Sequence, residues 1–71
     1  TNIGFQISNL VFVSLRIYDV LGRELVMLVN EEKQPGVYEV QFDASNLSSG
    51  IYYYKLVSGR FIETKKMIFL K

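Results

Sequence analysis

The side chains needed for nucleophilic and acid–base catalysis are scarce in this chain of 71 residues, which has no histidine and no cysteine. Six serines carry hydroxyl groups, namely Ser8, Ser14, Ser45, Ser48, Ser49 and Ser58. Without histidine none of them has the usual general base, and none lies in the spacing of a nucleophile elbow. The common thiolate and imidazole zinc sites are excluded as well. We therefore predict no catalytic residue, no metal site and no cofactor.

Three carboxylates are candidates for acid–base chemistry or cation binding. Glu31 and Glu32 are adjacent in sequence, and adjacent side chains of a strand point to opposite faces, so they are badly placed to cooperate. We interpret this pair as part of a solvated turn. Asp43 can either ligate a cation or accept a hydrogen bond from its own backbone in an Asx turn, and we favour the turn.

A run of three tyrosines begins at Tyr52 and is able, in principle, to stack on sugar rings. Period-two alternation instead places Tyr52 and Tyr54 in the core. Because Tyr52 follows Gly50 by two residues, near the start of a strand, it fits a tyrosine corner, whose hydroxyl bonds back to upstream backbone. Tyr53 and Tyr18 fall in the opposite phase, and they are the two candidates for aromatic contacts with a partner.

The same alternation dominates the whole chain and predicts an all-β protein. Tyr38, Val40 and Phe42, for example, alternate with polar side chains, as a strand with one dry face requires. The predicted strands cover residues 3–8, 12–19, 24–30, 37–42, 51–57 and 60–70.

Turn residues separate these strands at short intervals. Gly22, between Asp19 and Arg23, is predicted to close a hairpin through a positive φ angle, and residues 58–59 to form a second, two-residue hairpin. Residues 44–50 are rich in serine and asparagine and predict a crossover between two sheets, because hairpins rarely need that length. We expect an immunoglobulin- or fibronectin-III-like antiparallel β-sandwich of six to seven strands, with a barrel as the alternative.

Length and composition predict one domain, residues 1–71, with 49% hydrophobic residues and a net charge of +1. The charge is too small to indicate a nucleic-acid surface, and no apolar run approaches the roughly 20 residues of a membrane span. No signal peptide is evident, so if the protein is exported we expect its leader to lie upstream. A chain this short buries only about 60% of its unfolded surface. We therefore expect it to gain stability from a neighbouring domain or another chain.

Three segments together carry a family resemblance: IYDVLGRE at residues 17–24, QPGVYEVQFDASNLSSGIYYYKL at 34–56, and TKKMIFLK at 64–71. In this order they resemble the C-terminal sorting domains (type A) of proteins exported by the type IX secretion system of Bacteroidetes and related bacteria. The resemblance covers residues 3–71. The chain is also similar to the immunoglobulin-like module of flagellar hook-capping proteins.

The resemblance implies a secretion signal, a non-catalytic module that directs a larger N-terminal cargo through the periplasm to the outer-membrane surface or the extracellular space. The implied partners are the outer-membrane translocon and a sortase-like processing protease. The residues that match the family's recognition positions are Gly50, Tyr52, Lys66 and Lys71, and those that match its early turn are Asp19, Gly22 and Arg23. For Lys65, Lys66 and Lys71, protection of a strand edge against aggregation is the alternative explanation.

One departure from the family concerns its first strand. Members usually begin with an asparagine- and proline-rich N-P-F-N-like run, whereas this chain starts at Thr1, Asn2 and Ile3. We therefore expect a truncated first strand and, in the isolated chain, a homodimer formed through the exposed strand edge. The alternative function is a non-catalytic fibronectin-III-like spacer or a carbohydrate-binding accessory module of an extracellular enzyme.

Overall fold

The computed structural model describes residues 1–70, which form six β-strands and no helix. The strands are β1 (Asn2–Ile7), β2 (Val11–Asp19), β3 (Glu24–Lys33), β4 (Gly36–Gln41), β5 (Gly50–Ser58) and β6 (Phe61–Phe69). All pairings are antiparallel, and they build a two-stranded sheet, β1-β4, and a four-stranded sheet in the order β3-β2-β5-β6. The predicted β-sandwich is confirmed with six strands, and the barrel alternative is wrong because the strands form two separate sheets.

The core lies between the two sheets and follows from the alternation of the strands. In β1 every second side chain is buried, and in β2 the side chains of Val13, Leu15 and Ile17 are completely inaccessible to solvent. The buried cluster comprises Ile3, Phe5, Ile7, Val13, Leu15, Ile17, Val29, Phe42 and Leu56. One apolar face of each sheet is thereby removed from water, which is the main favourable term in folding.

The connections explain how one short chain forms two layers. β2–β3 and β5–β6 are hairpins within the large sheet, whereas the other three links pass between the sheets. The predicted crossover at residues 44–50 is confirmed, since β4 belongs to the small sheet and β5 to the large one. The order β3-β2-β5-β6 corresponds to the strands C′, C, F and G of an immunoglobulin sandwich, with β1 and β4 at positions B and E.

Two of the predicted turns lie at Asp43 and at residues 58–59. The Asx turn at Asp43 is confirmed, because the N–H of Ser45 donates to the Asp43 Oδ1 atom at 2.9 Å. The hairpin predicted at residues 58–59 is displaced by one residue. Ser58 pairs with Phe61, so the turn consists of Gly59 and Arg60, with φ +61° at Gly59 alone, as in a type II′ turn.

The prediction that Glu31 and Glu32 lie in a solvated turn is wrong. β3 continues to Lys33, three residues beyond its predicted end, and Glu31 lies opposite Val13 in β2. The physical reason is that β3 is an edge strand of the large sheet. Its backbone pairs with β2 while both glutamates remain exposed, and the Lys33 ammonium lies 2.6 Å from a carboxylate oxygen of Glu31.

Candidate functional site

The predicted turn after β2 is built around the carboxylate of Asp19. Its Oδ1 atom accepts hydrogen bonds from the N–H groups of Leu21 and Arg23, both at 2.9 Å, and its Oδ2 atom lies 2.8 Å from the Nε atom of Arg23. The N–H of Gly22 donates to the Asp19 carbonyl at 3.0 Å, with φ +83° at Gly22. Three of the family-matching residues therefore form one hydrogen-bonded unit.

The environment of Asp19 keeps it ionised. The backbone N–H of Arg23 lowers the pKa of the Asp19 carboxyl below its usual value, and the Arg23 side chain and the Leu21 N–H act in the same direction against the effect of burial. The Asp19 side chain is only 13% exposed, whereas that of Arg23 is 73% exposed. The turn thus presents a fixed guanidinium to solvent.

Tyr52 forms the predicted corner at the start of β5. Its hydroxyl donates to the Ser48 carbonyl at 2.8 Å, its ring centroid lies 5.5 Å from that of Phe69, and the residue is 8% exposed. The prediction of a tyrosine corner is confirmed. The bond ties the crossover to β5 and so fixes the position of Gly50, where the strand begins.

These two units lie at the same end of the molecule. Between them is a cleft of about 390 Å³, whose lining includes Asp19, Arg23, Gly50 and Tyr52. Because Gly50 pairs with Phe69, the end of β6 lies here too. We call this end the motif pole, and define it by the β2–β3 turn, the start of β5 and the end of β6. The exposed large apolar residues around it are Val20, Leu21, Leu25, Ile51, Ile68 and Leu70.

The remaining predicted residues lie outside the cleft. Tyr18 in β2 is opposite Tyr53 in β5, and Tyr53 is opposite Lys66 in β6, with Glu24 of β3 at the other end of this row. The row crosses the outer face of the large sheet. Both tyrosines are half-buried and Lys66 is exposed. Lys71 lies outside the described residues.

Sequence reasoning selected Tyr18, Tyr53 and Lys66 separately and did not place them in one row, because cross-strand register depends on pairing between distant segments. It also missed the apolar rim, because the prediction for this turn was based on Asp19, Gly22 and Arg23 and took no account of Val20 and Leu21. A signal was present in the sequence, because large apolar side chains at the tip of a hairpin have no core to enter.

The described residues at the motif pole contain no cluster of metal ligands. Among residues 1–70 there is no group of three or more carboxylate, histidine or cysteine side chains that could hold a metal ion. That same part of the chain also contains no helix with the length and hydrophobicity of a membrane span. What the pole offers is a cleft of mixed polarity with an exposed apolar rim and one exposed guanidinium, which is paired with Asp19.

The fold and this surface define the class of protein, which is a small immunoglobulin-like β-sandwich with a surface suited to binding. The family model described as the secretion system C-terminal sorting domain matches residues 1–70, and the chain belongs to this family. No curated protein and no solved structure matches the chain. The family is non-catalytic.

Membership of the family establishes the function in outline. The chain is a sorting signal for type IX secretion, works with the type IX machinery on behalf of an attached cargo chain, and directs that cargo to the cell surface or the extracellular space. The predicted family is confirmed, and the alternative of a spacer or carbohydrate-binding module is not favoured.

Proposed function

We propose that residues 1–71 act as one sorting module and that the type IX outer-membrane translocon recognises it through the motif pole. The observation that carries this proposal is the convergence of residues from two distant segments on one cleft. Asp19 and Arg23 come from the β2–β3 turn, and Gly50 and Tyr52 from the start of β5. All four match recognition or turn positions of the family.

The physical character of the pole supports a role in protein recognition. Exposed apolar residues that cluster on a small protein typically mark an interaction surface. Leu21 is 74% exposed at the tip of the turn, so a partner would remove much of its surface from water. The Arg23 guanidinium, held at Nε by Asp19, gives this apolar surface a directional charge, and arginine is enriched where binding energy is concentrated.

Further contacts follow from the family resemblance. Lys66 and the terminal Lys71 are proposed to contribute charge to recognition, Lys66 from the exposed side of β6. A sortase-like protease is proposed to remove the domain from its N-terminal cargo after export. The cargo is proposed to be a separate N-terminal part of the protein that is not packed into the β-sandwich.

The isolated chain is proposed to form a homodimer through β1. This strand pairs with β4 on one side, and among the described residues its other side is unpaired. A second copy can supply the missing partner and complete the backbone hydrogen bonds. Sedimentation at micromolar concentration should show a dimer, and a folded monomer would contradict this part of the proposal.

A pair of charge substitutions tests the motif pole. Leu21→Glu places a carboxylate on its apolar rim, whereas Val37→Glu makes the same type of change on β4, where the side chain is 81% exposed and absent from the cleft. Both variants should fold, as judged by circular dichroism. In cells with type IX secretion, a reporter fused to the Leu21→Glu chain should remain periplasmic while the Val37→Glu fusion reaches the surface. Equal export of the two fusions would place recognition elsewhere.

A further inference from the structure

β6 is a long, regular strand at the edge of the large sheet. It pairs with β5 without a register shift from Gly50 opposite Phe69 to Ser58 opposite Phe61. The other edge strand, β3, has two register shifts against β2. Bulges of that kind twist an edge and discourage further pairing, so β6 is the edge of this sheet that remains open to another strand.

The side chains on the outer face of β6 have a distinct pattern. Ile62 and Ile68 are each more than half exposed, and Lys66 lies between them. Lys66 has no ion-pair partner within residues 1–70, whereas Lys65, on the other face, lies 3.8 Å from a carboxylate oxygen of Glu63. The outer face of this edge therefore carries two exposed isoleucines, Thr64 and one uncompensated positive charge.

The positive charges of Lys65 and Lys66 select among strands that could pair with the edge. In the fully overlapped antiparallel register, a second copy would place its Lys65 directly opposite Lys65, and like charges directly opposite are destabilising. A strand with a carboxylate opposite Lys66 would gain a cross-strand ion pair instead. In that register, charge complementarity favours a strand with a carboxylate opposite Lys66 over a second copy of this chain.

We propose that the free edge of β6 binds an extended acidic segment of a partner protein by strand addition. Main-chain hydrogen bonds provide affinity in this mode, and side-chain matching provides specificity. The guest places a carboxylate opposite Lys66 and apolar side chains opposite Ile62 and Ile68. The inference rests on the proposed function in treating Lys66 as a recognition residue, and it adds the chemistry of the ligand.

Two nine-residue peptides test the inference on the chain itself. Each is designed for antiparallel pairing with β6 and has valine opposite Ile62 and Ile68; one has glutamate opposite Lys66 and the other lysine. Binding is measured by fluorescence anisotropy, and the site is located by amide hydrogen exchange. The glutamate peptide should bind about tenfold more tightly than the lysine peptide, and protection should rise in β6.

Charge reversal at the edge provides the decisive comparison. Lys66→Glu should reverse the preference, so that the lysine peptide binds more tightly. Arg60→Glu is the matched control, because it makes the same charge change in the exposed β5–β6 turn, away from Lys66, and should leave the preference for the glutamate peptide. Any one of four results would overturn the inference. These are absence of binding, equal affinity for both peptides, reversal of the preference in the control variant, and protection in β1 instead of β6. None of these results bears on export through the motif pole, which the reporter fusions test separately.

Discussion

The hydroxyl group of Tyr52 attaches the crossover at residues 44–50 to the folded core. It joins a buried ring to the Ser48 carbonyl, so removal of one oxygen atom leaves the ring packing in place and breaks the bond. We expect Tyr52→Phe to lower the free energy of unfolding by about 1 kcal/mol. Tyr53→Phe, on the outer face, should change it by less than about 0.5 kcal/mol. Urea denaturation of the two variants measures both values, and equal effects would contradict the structural role of the corner.

Asp19 makes stability depend on pH at the motif pole. Its pKa is lower in the folded chain than the unfolded value of about 3.9, so its contribution is present above the unfolded pKa and is lost as the pH falls through the folded pKa. Asp19→Asn should therefore lower the unfolding temperature at neutral pH, and the difference from wild type should shrink towards pH 2. Glu39→Gln repeats the charge change at an exposed position and serves as the control. A difference that stays constant from pH 7 to pH 2 would show that the charge of Asp19 is unimportant.

At the scale of elements, the two hairpins of the large sheet depend on glycine for different reasons. Gly22 has a positive φ but open space beside it, whereas a Cβ at Gly59 would lie 3.0 Å from the Val11 Cγ2 atom. Gly22→Ala should cost about 1 kcal/mol of stability through backbone strain alone. Gly59→Ala should cost more, because Val11 must also move. Thermal unfolding of both variants checks the order, and a smaller loss at Gly59 would contradict the tight β5–β6 turn.

Local patterns were sufficient to predict most of the elements. Alternation located the six strands, and residue chemistry identified the turn at Gly22, the Asx turn at Asp43 and the tyrosine corner at Tyr52. Each of these features depends on residues close in sequence. The prediction was wrong where β3, as an edge strand of the large sheet, continued through residues that were predicted to form a turn. Glu31 and Glu32 look like turn residues, but an edge strand tolerates polar side chains as long as its backbone is paired.

The candidate site was predicted as residues but not as a surface. Family motifs selected Asp19, Arg23, Gly50 and Tyr52, and the tertiary arrangement of β2, β3 and β5 then brought them to one cleft. Lys66 was selected for its position near the end of the chain. Its alignment with Tyr53 depends on the β5–β6 register, which the two-residue turn sets, and the predicted turn was displaced by one residue.

At the scale of the whole molecule, the start of the described chain and the motif pole lie close together. Thr1 exchanges backbone hydrogen bonds with Phe42, at 3.2 and 2.7 Å, and the Phe42 ring centroid is 6.2 Å from that of Phe69. A reporter fused at Thr1 therefore begins beside the pole. A fusion should include a flexible glycine- and serine-rich linker, so that the reporter does not cover the cleft.

Surface display of such a fusion decides whether the chain acts as a sorting signal. A periplasmic reporter would carry residues 1–71 at its C-terminus, and surface exposure would be measured by antibody labelling of intact cells with and without a functional type IX system. We predict labelling only when the system is functional, and none when the reporter lacks the chain. A fusion that stays in the periplasm of competent cells, while an established sorting domain exports the same reporter, would contradict the account.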